Sequence, residues 1–307
     1  MPPPRPADVL PHVCICICTY KRSEGLTRLL SALSHQFTGG FFAYSIVVVD
    51  NDHSETARPV TERFCATSKV PIHYCVEPTQ NIPLARNKAV SAAEGDFVAL
   101  IDDDELPPQN WLLTLFRVCE KFGVDGVLGP VISRFEVEPP PWVSKSGLYN
   151  RRRFPTGTRV CWSDGRTGNA FLRRAVFARE GQPFRPQFRT GEDQDFFRRM
   201  IEKGHSFIWC DEAVAWELIP PARWNRKIML RRALLRGAVT PSYPDFGARD
   251  VAKSLLAVSA YTLALPGVLV LGQHKFMSVL VRLFHHLGTL LAVTGIDPVK
   301  EPYVTEQ

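Results

Sequence analysis

The strongest constraint on the fold is an alternation of strand and helix signals over the first hundred residues. Residues 13–19 form a short apolar run, 26–33 have helical spacing, and 45–50 are apolar and β-branched. Residues 59–66 then read as helix, 72–76 as strand, 84–93 as helix and 96–101 as a fourth strand. A βαβαβαβ order predicts an α/β domain whose mostly parallel sheet is covered by helices on both faces. Ligands of such sheets bind at the carboxyl ends of the strands, so the residues just after Ile17, Val49 and Ile101 are expected to matter most.

Beyond this region a helix is expected from Trp111 to Gly123, a strand over 127–135 and a Pro-rich loop over 138–141. Another helix follows Gly191, with Phe196, Phe197, Met200 and Ile201 on one face and Gly204 closing it. Residues 254–272 carry no charge and include Pro266; at 19 residues they just reach the ~20 that a membrane span needs. Residues 276–294 are similarly apolar but contain Arg282, His285 and His286, and read as amphipathic or re-entrant. Both a membrane-associated hairpin and a helical subdomain packed on the rest of the chain fit this pattern.

Charge is unevenly spread. The chain of 307 residues has 37 Lys+Arg against 31 Asp+Glu, yet residues 151–236 alone hold 19 basic and 9 acidic side chains. That segment is suited to something anionic: a nucleotide diphosphate, acidic lipid headgroups or nucleic acid. With 45% hydrophobic and 22% charged residues, disorder is excluded. Of the eight cysteines, Cys14, Cys16 and Cys18 alternate along one apolar run, and neither a Cys-x-x-Cys pair nor a zinc-finger spacing occurs. They read as small core hydrophobes in a reducing compartment. The Pro-rich start lacks an apolar stretch, so no secretory signal is expected and the cytoplasm is the expected location.

Three segments carry chemistry. Asp102-Asp103-Asp104-Glu105 directly follows an apolar strand. It reads either as a solvated turn before Pro107 or as a hard-metal site, with Asp102 and Asp104 at the i, i+2 spacing that presents oxygens to Mg²⁺ or Mn²⁺. Gly191-Glu192-Asp193-Gln194-Asp195 opens a helix and offers either favourable helix-start charge or a general base. In Asn81-Ile82-Pro83-Leu84-Ala85-Arg86-Asn87, Arg86 either pairs with a phosphate or braces the acidic loop.

Taken in order, these segments resemble an inverting glycosyltransferase of family 2 with the GT-A fold. The resemblance runs from Cys16-Ile17-Cys18-Thr19-Tyr20-Lys21-Arg22 through Val48-Val49-Asp50-Asn51 and Ala85-Arg86-Asn87. It continues through Asp102-Asp103-Asp104, Thr167-Gly168-Asn169 and Gly191-Glu192-Asp193, and covers residues 13–237. Glu77-Pro78, Asn81-Ile82, Leu128-Gly129-Pro130-Val131 and Pro140-Pro141-Trp142-Val143 are similar to a bacterial subgroup that includes succinoglycan-type exopolysaccharide glucosyltransferases.

The resemblance implies a GT-A domain over 10–237 and a helical, membrane-associated region over 238–307. It implies that Thr19 and Tyr20 line the nucleoside pocket, that Asp50 bonds the base and that Arg86 helps hold the nucleotide. Asp102 and Asp104 would be the DxD pair, with Asp104 on a Mn²⁺ or Mg²⁺ ion and Asp102 towards ribose or metal. Asn169 would lie near donor sugar or acceptor, and Asp193 would be the catalytic base, with Glu192 the second choice. Where many relatives have a metal-binding His, this chain has Val214-Ala215-Trp216-Glu217; Glu217 is a candidate oxygen ligand or a partner for Arg223. Arg231, Arg232 and Arg236 fall where relatives often keep basic residues beside the diphosphate.

The implied reaction moves a sugar from a nucleotide-sugar, a UDP-sugar, to a hydroxyl of a glycan acceptor that is lipid-linked, at the cytoplasmic face of the inner membrane. No nucleic-acid partner is expected. The rivals are a carboxylate-pair glycoside hydrolase, which would not need the acidic run, a nucleic-acid-binding module using the basic segment, and a catalytically silent scaffold.

Overall fold

The computed structural model describes residues 10–178, 180–300 and 303; the first nine residues, on which the reading of the Pro-rich start rests, lie outside them. In chain order the first elements are β1 (His12–Thr19), α1 (Ser23–Leu33), β2 (Ala43–Asp50), α2 (Arg58–Thr67), β3 (Ile72–Val76), α3 (Ile82–Ala92) and β4 (Phe97–Ile101). Next come β5 (Glu105–Leu106), α4 (Trp111–Phe122), β6 (Gly126–Leu128), β7 (Val131–Phe135), α5 (Pro141–Ser144) and β8 (Asn169–Arg173). The last are α6 (Glu192–Glu202), β9 (Phe207–Trp209), β10 (Ala215–Ile219), α7 (Arg226–Val239), α8 (Ala248–Val270) and α9 (Gln273–Val293).

The chain forms two compact units. One comprises residues up to Ile132 with Arg151–Arg185 and Asp193–Glu217; the other comprises Ser133–Asn150, Pro186–Glu192 and Leu218 onwards. The division therefore differs from a single cut after residue 237: the stretch from Leu218 and two internal segments group with the C-terminal helices.

The first unit holds a seven-stranded sheet in the order β3-β2-β1-β4-β8-β6-β9. β1 pairs in parallel with β2 and β4, as do β2 with β3 and β6 with β9, whereas β8 runs antiparallel between β4 and β6. Strand alternation sorts β1 onto two cores. Val13, Ile15 and Ile17 pack with Leu26, Leu29, Leu30 and Leu33 of α1 and with Trp111 and Leu115 of α4. Cys14 and Cys16 face the other way, with Ala85 and Ala89 of α3 and Phe196, Phe197 and Met200 of α6. The Cys16 thiol reaches the Ala89 carbonyl at 3.5 Å, so two small thiols and two alanines bring α3 close onto the sheet. Cys65 and Cys161, by contrast, are exposed rather than core.

Local chemistry sets the ends of the elements. Asn81 caps α3 by accepting the Leu84 amide at 2.9 Å, with Pro83 in the first turn, where its missing amide costs nothing. Gly123 closes α4 at φ +61°, the left-handed conformation glycine adopts without strain. The strand expected over 127–135 is two strands, because Gly129-Pro130 interrupts it and Pro130 has no amide for a ladder. β7 leaves the large sheet for a three-stranded one, β5-β10-β7.

Several arginines of the basic segment form ion pairs within the first unit. Arg152 pairs with Asp164, Arg153 with Asp211, Arg173 with Glu120, Arg185 with Asp195, and Arg199 with both Asp195 and Glu180. Of these partners only Glu120 lies outside residues 151–236, so the pairs fix the arginines locally and leave the segment's excess of positive charge in place.

In the second unit α7 and α9 touch backbone to backbone. A Cβ on Gly237 would lie 1.8 Å from the His285 carbonyl oxygen, and one on Gly288 would lie 2.2 Å from that of Leu234. α8 packs on α9 through Ser254, whose hydroxyl is 3.1 Å from His286 Nδ1, while its other face is exposed.

Candidate active site

Parallel register brings the functional segments to one edge. Thr19 pairs with Asp50 at the end of β1 and β2, and Cys16 pairs with Leu100, so β4 ends beside them and delivers the acidic run. Lys21 follows β1 in the left-handed region at φ +52°, an unusual conformation for a lysine, and this turn swings Arg22 back onto the acidic loop.

The four carboxylates have different surroundings. Asp103 is turned inward, its side chain 6% exposed, and accepts the Thr19 hydroxyl at 2.8 Å and Arg22 Nη1 at 2.9 Å. Burial pushes its pKa up to about 6 even though Arg22 pulls the other way. Asp104, 16% exposed, shares the same Arg22 nitrogen at 2.9 Å. Asp102 is 46% exposed and lies 3.3 Å from Arg86 Nη2. Asp102 and Asp104 thus keep access that Asp103 lacks, and Arg86 braces the loop.

Glu105 is buried, and its Oε2 accepts the Asp102 amide at 3.1 Å. In the β5–β10 ladder it stands directly opposite Glu217. Burial, then the charges of Asp102, Asp104 and Glu217, hold its carboxyl well above the usual range, and Arg151 opposes them. Arg151 also forms an ion pair with Glu217.

Gly168 closes over this group. A Cβ there would be 2.5 Å from Glu105 Oε1 and 3.2 Å from Asp102 Oδ2, so any larger residue would have to push these carboxylates aside. The preceding Thr167 hydroxyl is buried without a hydrogen-bond partner, and Arg166 Nε lies 4.0 Å from Asp193 Oδ2. The segment 166–168 therefore links the acidic loop to the start of α6. There Asp193 accepts the Gln194 amide at 2.8 Å and its side chain keeps partial exposure. Glu192 is buried, and Asp195 is fully buried between Arg185 at 3.4 Å and Arg199 at 3.0 Å, a structural ion pair.

Two predicted positions have their side chains hydrogen-bonded within the protein. Asp50 is buried; its Oδ2 accepts the Ala57 amide at 2.7 Å and the Tyr74 hydroxyl at 3.0 Å, and its Oδ1 accepts the Asp52 amide at 3.1 Å. Burial raises its pKa against these donors. It shapes the loop after β2, in which Asp52 Oδ2 is buried without a partner. Asn169, expected beside the donor sugar, is buried with its whole amide engaged. It accepts Trp111 Nε1 at 2.8 Å and donates to the carbonyls of Pro130 at 3.0 Å and Ala213 at 2.7 Å. Thr19 gives its hydroxyl to Asp103, and Tyr20 stays partly exposed, with Lys21 Nζ 5.2 Å from its ring centre.

The sequence reading left Glu105, Arg22, Trp111 and Arg151 without roles. The acidic run signalled Glu105, but its pairing with Glu217 depends on a two-residue strand that no periodicity reveals.

Four carboxylates with two guanidinium partners suit a hard divalent cation. The cradle under Gly168 and the repulsion gathered on Glu105 fit such an ion as well. Among the described residues no three Asp, Glu, His or Cys side chains converge to hold an ion unaided. Mg²⁺-type sites commonly use one or two carboxylates and complete the shell with water and substrate phosphates.

A mostly parallel sheet with an acidic loop at its carboxyl edge and an antiparallel strand beside β4 defines an α/β protein of the GT-A type. The chain belongs to glycosyl transferase family 2, whose model matches residues 14–179, more than half of the 307 residues. It is 28% identical over 308 residues to the succinoglycan biosynthesis protein ExoM of Rhizobium meliloti, covering 94% of this chain and 95% of that one. It is 24% identical over 215 residues to the glycosyltransferase AglE of Haloferax volcanii, covering 67% of each. Among solved structures, the mannosyltransferase PcManGT from Pyrobaculum calidifontis, in complex with GDP-Man and Mn²⁺, aligns at TM-score 0.64 and 17% identity, over 97% of this chain and 92% of that one. S. aureus TarS 1–349 in complex with UDP-GlcNAc aligns at TM-score 0.55 and 13% identity, over 93% and 92%. These two likenesses are of fold.

Proposed function

We propose that the chain transfers a sugar from a nucleotide-sugar, a UDP-sugar, to a hydroxyl of a lipid-linked glycan acceptor, with inversion, in the synthesis of a bacterial polysaccharide. The observation that carries this reading is the acidic loop after β4, where Asp102 and Asp104 keep access while Asp103 is fixed from behind by Thr19 and Arg22. The succinoglycan relative supports the polysaccharide setting, and the nucleotide-sugar complexes of the structural neighbours support the donor class.

Asp102 and Asp104 would hold Mn²⁺ or Mg²⁺, with Glu105 and Glu217 lending negative charge. When bound, the ion neutralises the charge that develops on the departing diphosphate. Asp193 takes the proton from the acceptor hydroxyl, whose oxygen attacks the anomeric carbon from the face opposite the leaving nucleotide. Arg166 lies 4.0 Å from the Asp193 carboxylate, and holding both substrates in line supplies much of the rate. Attachment to the cytoplasmic face of the inner membrane, through the apolar C-terminal helices, brings the enzyme to its acceptor.

The test is nucleotide release from a panel of nucleotide-sugars with Mn²⁺ or Mg²⁺, with and without EDTA, using Asp104→Ala and Asp193→Asn as controls. The expected result is turnover of one donor that needs metal and fails in both variants. Absence of both turnover and metal-dependent nucleotide binding would end the proposal.

A further inference from the structure

The two apolar helices pass the length test for a membrane span, but their packing separates them. α8 covers 23 residues and α9 covers 21, about 34 Å and 32 Å at 1.5 Å per residue. α9 is a structural helix of its unit. α7 runs parallel to it for most of its length: Arg226 Nη2 donates to Gln273 Oε1 at 3.0 Å, Leu234 meets Gly288, and Thr289 Oγ1 donates to the Gly237 carbonyl at 3.1 Å. Ser278 Oγ also donates to the Ser146 carbonyl at 3.1 Å. α7 carries Arg226, Lys227, Arg231, Arg232 and Arg236 and no acidic residue. If α9 crossed a bilayer, this helix would have to enter with it, and arginine in hydrocarbon is strongly disfavoured.

α8 is different. Its inner stripe lies on α9, while Leu256, Leu263 and Val270, seven residues apart, are 73%, 82% and 88% exposed. Leu255, Leu269 and Leu271 extend the same apolar surface. Arg249 and Lys253 precede the uncharged stretch and Lys275 follows it, all three exposed. Over residues 226–293 there are nine Lys+Arg and only two acidic side chains, Asp245 and Asp250.

We infer that this chain binds the bilayer monotopically: α8 lies in the plane of an anionic leaflet with its leucine stripe among the acyl chains, and the hairpin does not cross. The occupant of the exposed face is a lipid surface, chosen by the positive charge that brackets the apolar stripe. The inference rests on the membrane attachment proposed above and specifies its geometry.

The test uses the purified full chain added to the outside of sealed vesicles, either neutral phosphatidylcholine or the same with phosphatidylglycerol. Flotation should show binding that is stronger to the anionic vesicles. Leu263→Glu and Val270→Glu should each lower the vesicle partition constant about tenfold or more, as when one large apolar side chain leaves an apolar environment. Both positions are exposed, so neither change should disturb folding. Donor hydrolysis in solution should be unchanged in both variants, which separates failure of the membrane geometry from failure of the transferase reading. Topology is read with Lys275→Cys and a membrane-impermeant maleimide added outside, the labelled peptides being identified by mass. Exposed Cys65 marks the side that carries the first unit. Labelling of Cys65 and of position 275 from the same side is the expected result. Labelling of position 275 only after the vesicles are permeabilised would show a spanning hairpin and overturn the proposal. So would absence of vesicle binding, or a stripe whose substitution only dissociates a dimer of this chain.

Discussion

Glu105 and Glu217 stand directly opposite each other on neighbouring antiparallel strands, one buried carboxylate facing another. Like charges in that relation destabilise a ladder unless a proton or a cation intervenes. Burial and its acidic neighbours raise the pKa of Glu105 well above the usual carboxylate range. The folded state therefore holds a proton that the unfolded chain has already released, and stability falls as pH rises from about 4.3 towards the folded value. Glu217→Gln should flatten that fall. In thermal melts at neutral pH without metal it should raise the melting temperature, and Mn²⁺ should stabilise it less than the wild type. A variant less stable than wild type without metal would show that the Arg151 pairing outweighs the repulsion.

Asp103 gives a second pH signature. With its pKa pushed up to about 6, its ionisation opposes folding by a few kcal/mol at neutral pH, developing between about pH 4 and about pH 6. Asp103→Asn should remove this slope from a plot of unfolding free energy against pH. Arg22→Ala removes the charge that holds the pKa down, so the fall should extend above pH 6. A pH profile identical to wild type in both variants would refute the assignment.

Gly168 is a sharper probe of the acidic group. In Gly168→Ala the new methyl would have to displace the Glu105 carboxylate, 2.5 Å away, or lift the loop. Metal-dependent nucleotide release should drop by about tenfold or more, as a displacement near 1 Å in a positioned site can cost. The metal concentration for half-maximal activity should rise, and the far-ultraviolet circular dichroism should stay as in wild type.

Much of this was legible in the sequence because buried parallel strands announce themselves as apolar runs. β1 to β4 and α1 to α4 lie within a few residues of where periodicity puts them. β8 gave no such signal: its apolar core is only Ala170-Phe171-Leu172 between Asn169 and Arg173, and its antiparallel place between β4 and β6 rests on long-range pairing. The same limit hid the partners of Asn169, an indole 58 residues away and carbonyls 39 and 44 residues away, which its neighbours Thr167 and Gly168 do not signal. The Glu105–Glu217 pairing depends on the register of a two-residue strand. Local pattern located the acidic loop; only long-range contacts show which of its carboxylates face inward.

Asn169 consequently yields a prediction about stability. Asn169→Ala leaves Trp111 Nε1 and the Ala213 carbonyl without the partner Asn169 gives them, while the Pro130 carbonyl keeps the Ala215 amide at 3.0 Å. Each orphaned group costs about 1–3 kcal/mol, so urea unfolding should show a loss of roughly 2 kcal/mol or more. Activity per folded molecule should fall far less than stability. A stable variant that has lost donor turnover would instead return Asn169 to the sugar pocket.

The start of α6 offers three neighbouring carboxylates, and the structure ranks them by access. Asp195 is fully buried and held by Arg185 and Arg199; Glu192 is buried; Asp193 alone keeps partial exposure, with Arg166 4.0 Å away. A base must meet its acceptor hydroxyl, so Asp193→Asn should lower kcat about 10²–10⁴-fold while leaving the donor KM nearly unchanged. Glu192→Gln should lose much less. Asp195→Asn should act through folding, breaking a buried ion pair and lowering the melting temperature, since removing one partner strands the other charge. If Glu192→Gln carried the larger loss in kcat at unchanged stability, the base would be Glu192, and the Arg166 contact would be a surface pair with no part in the chemistry.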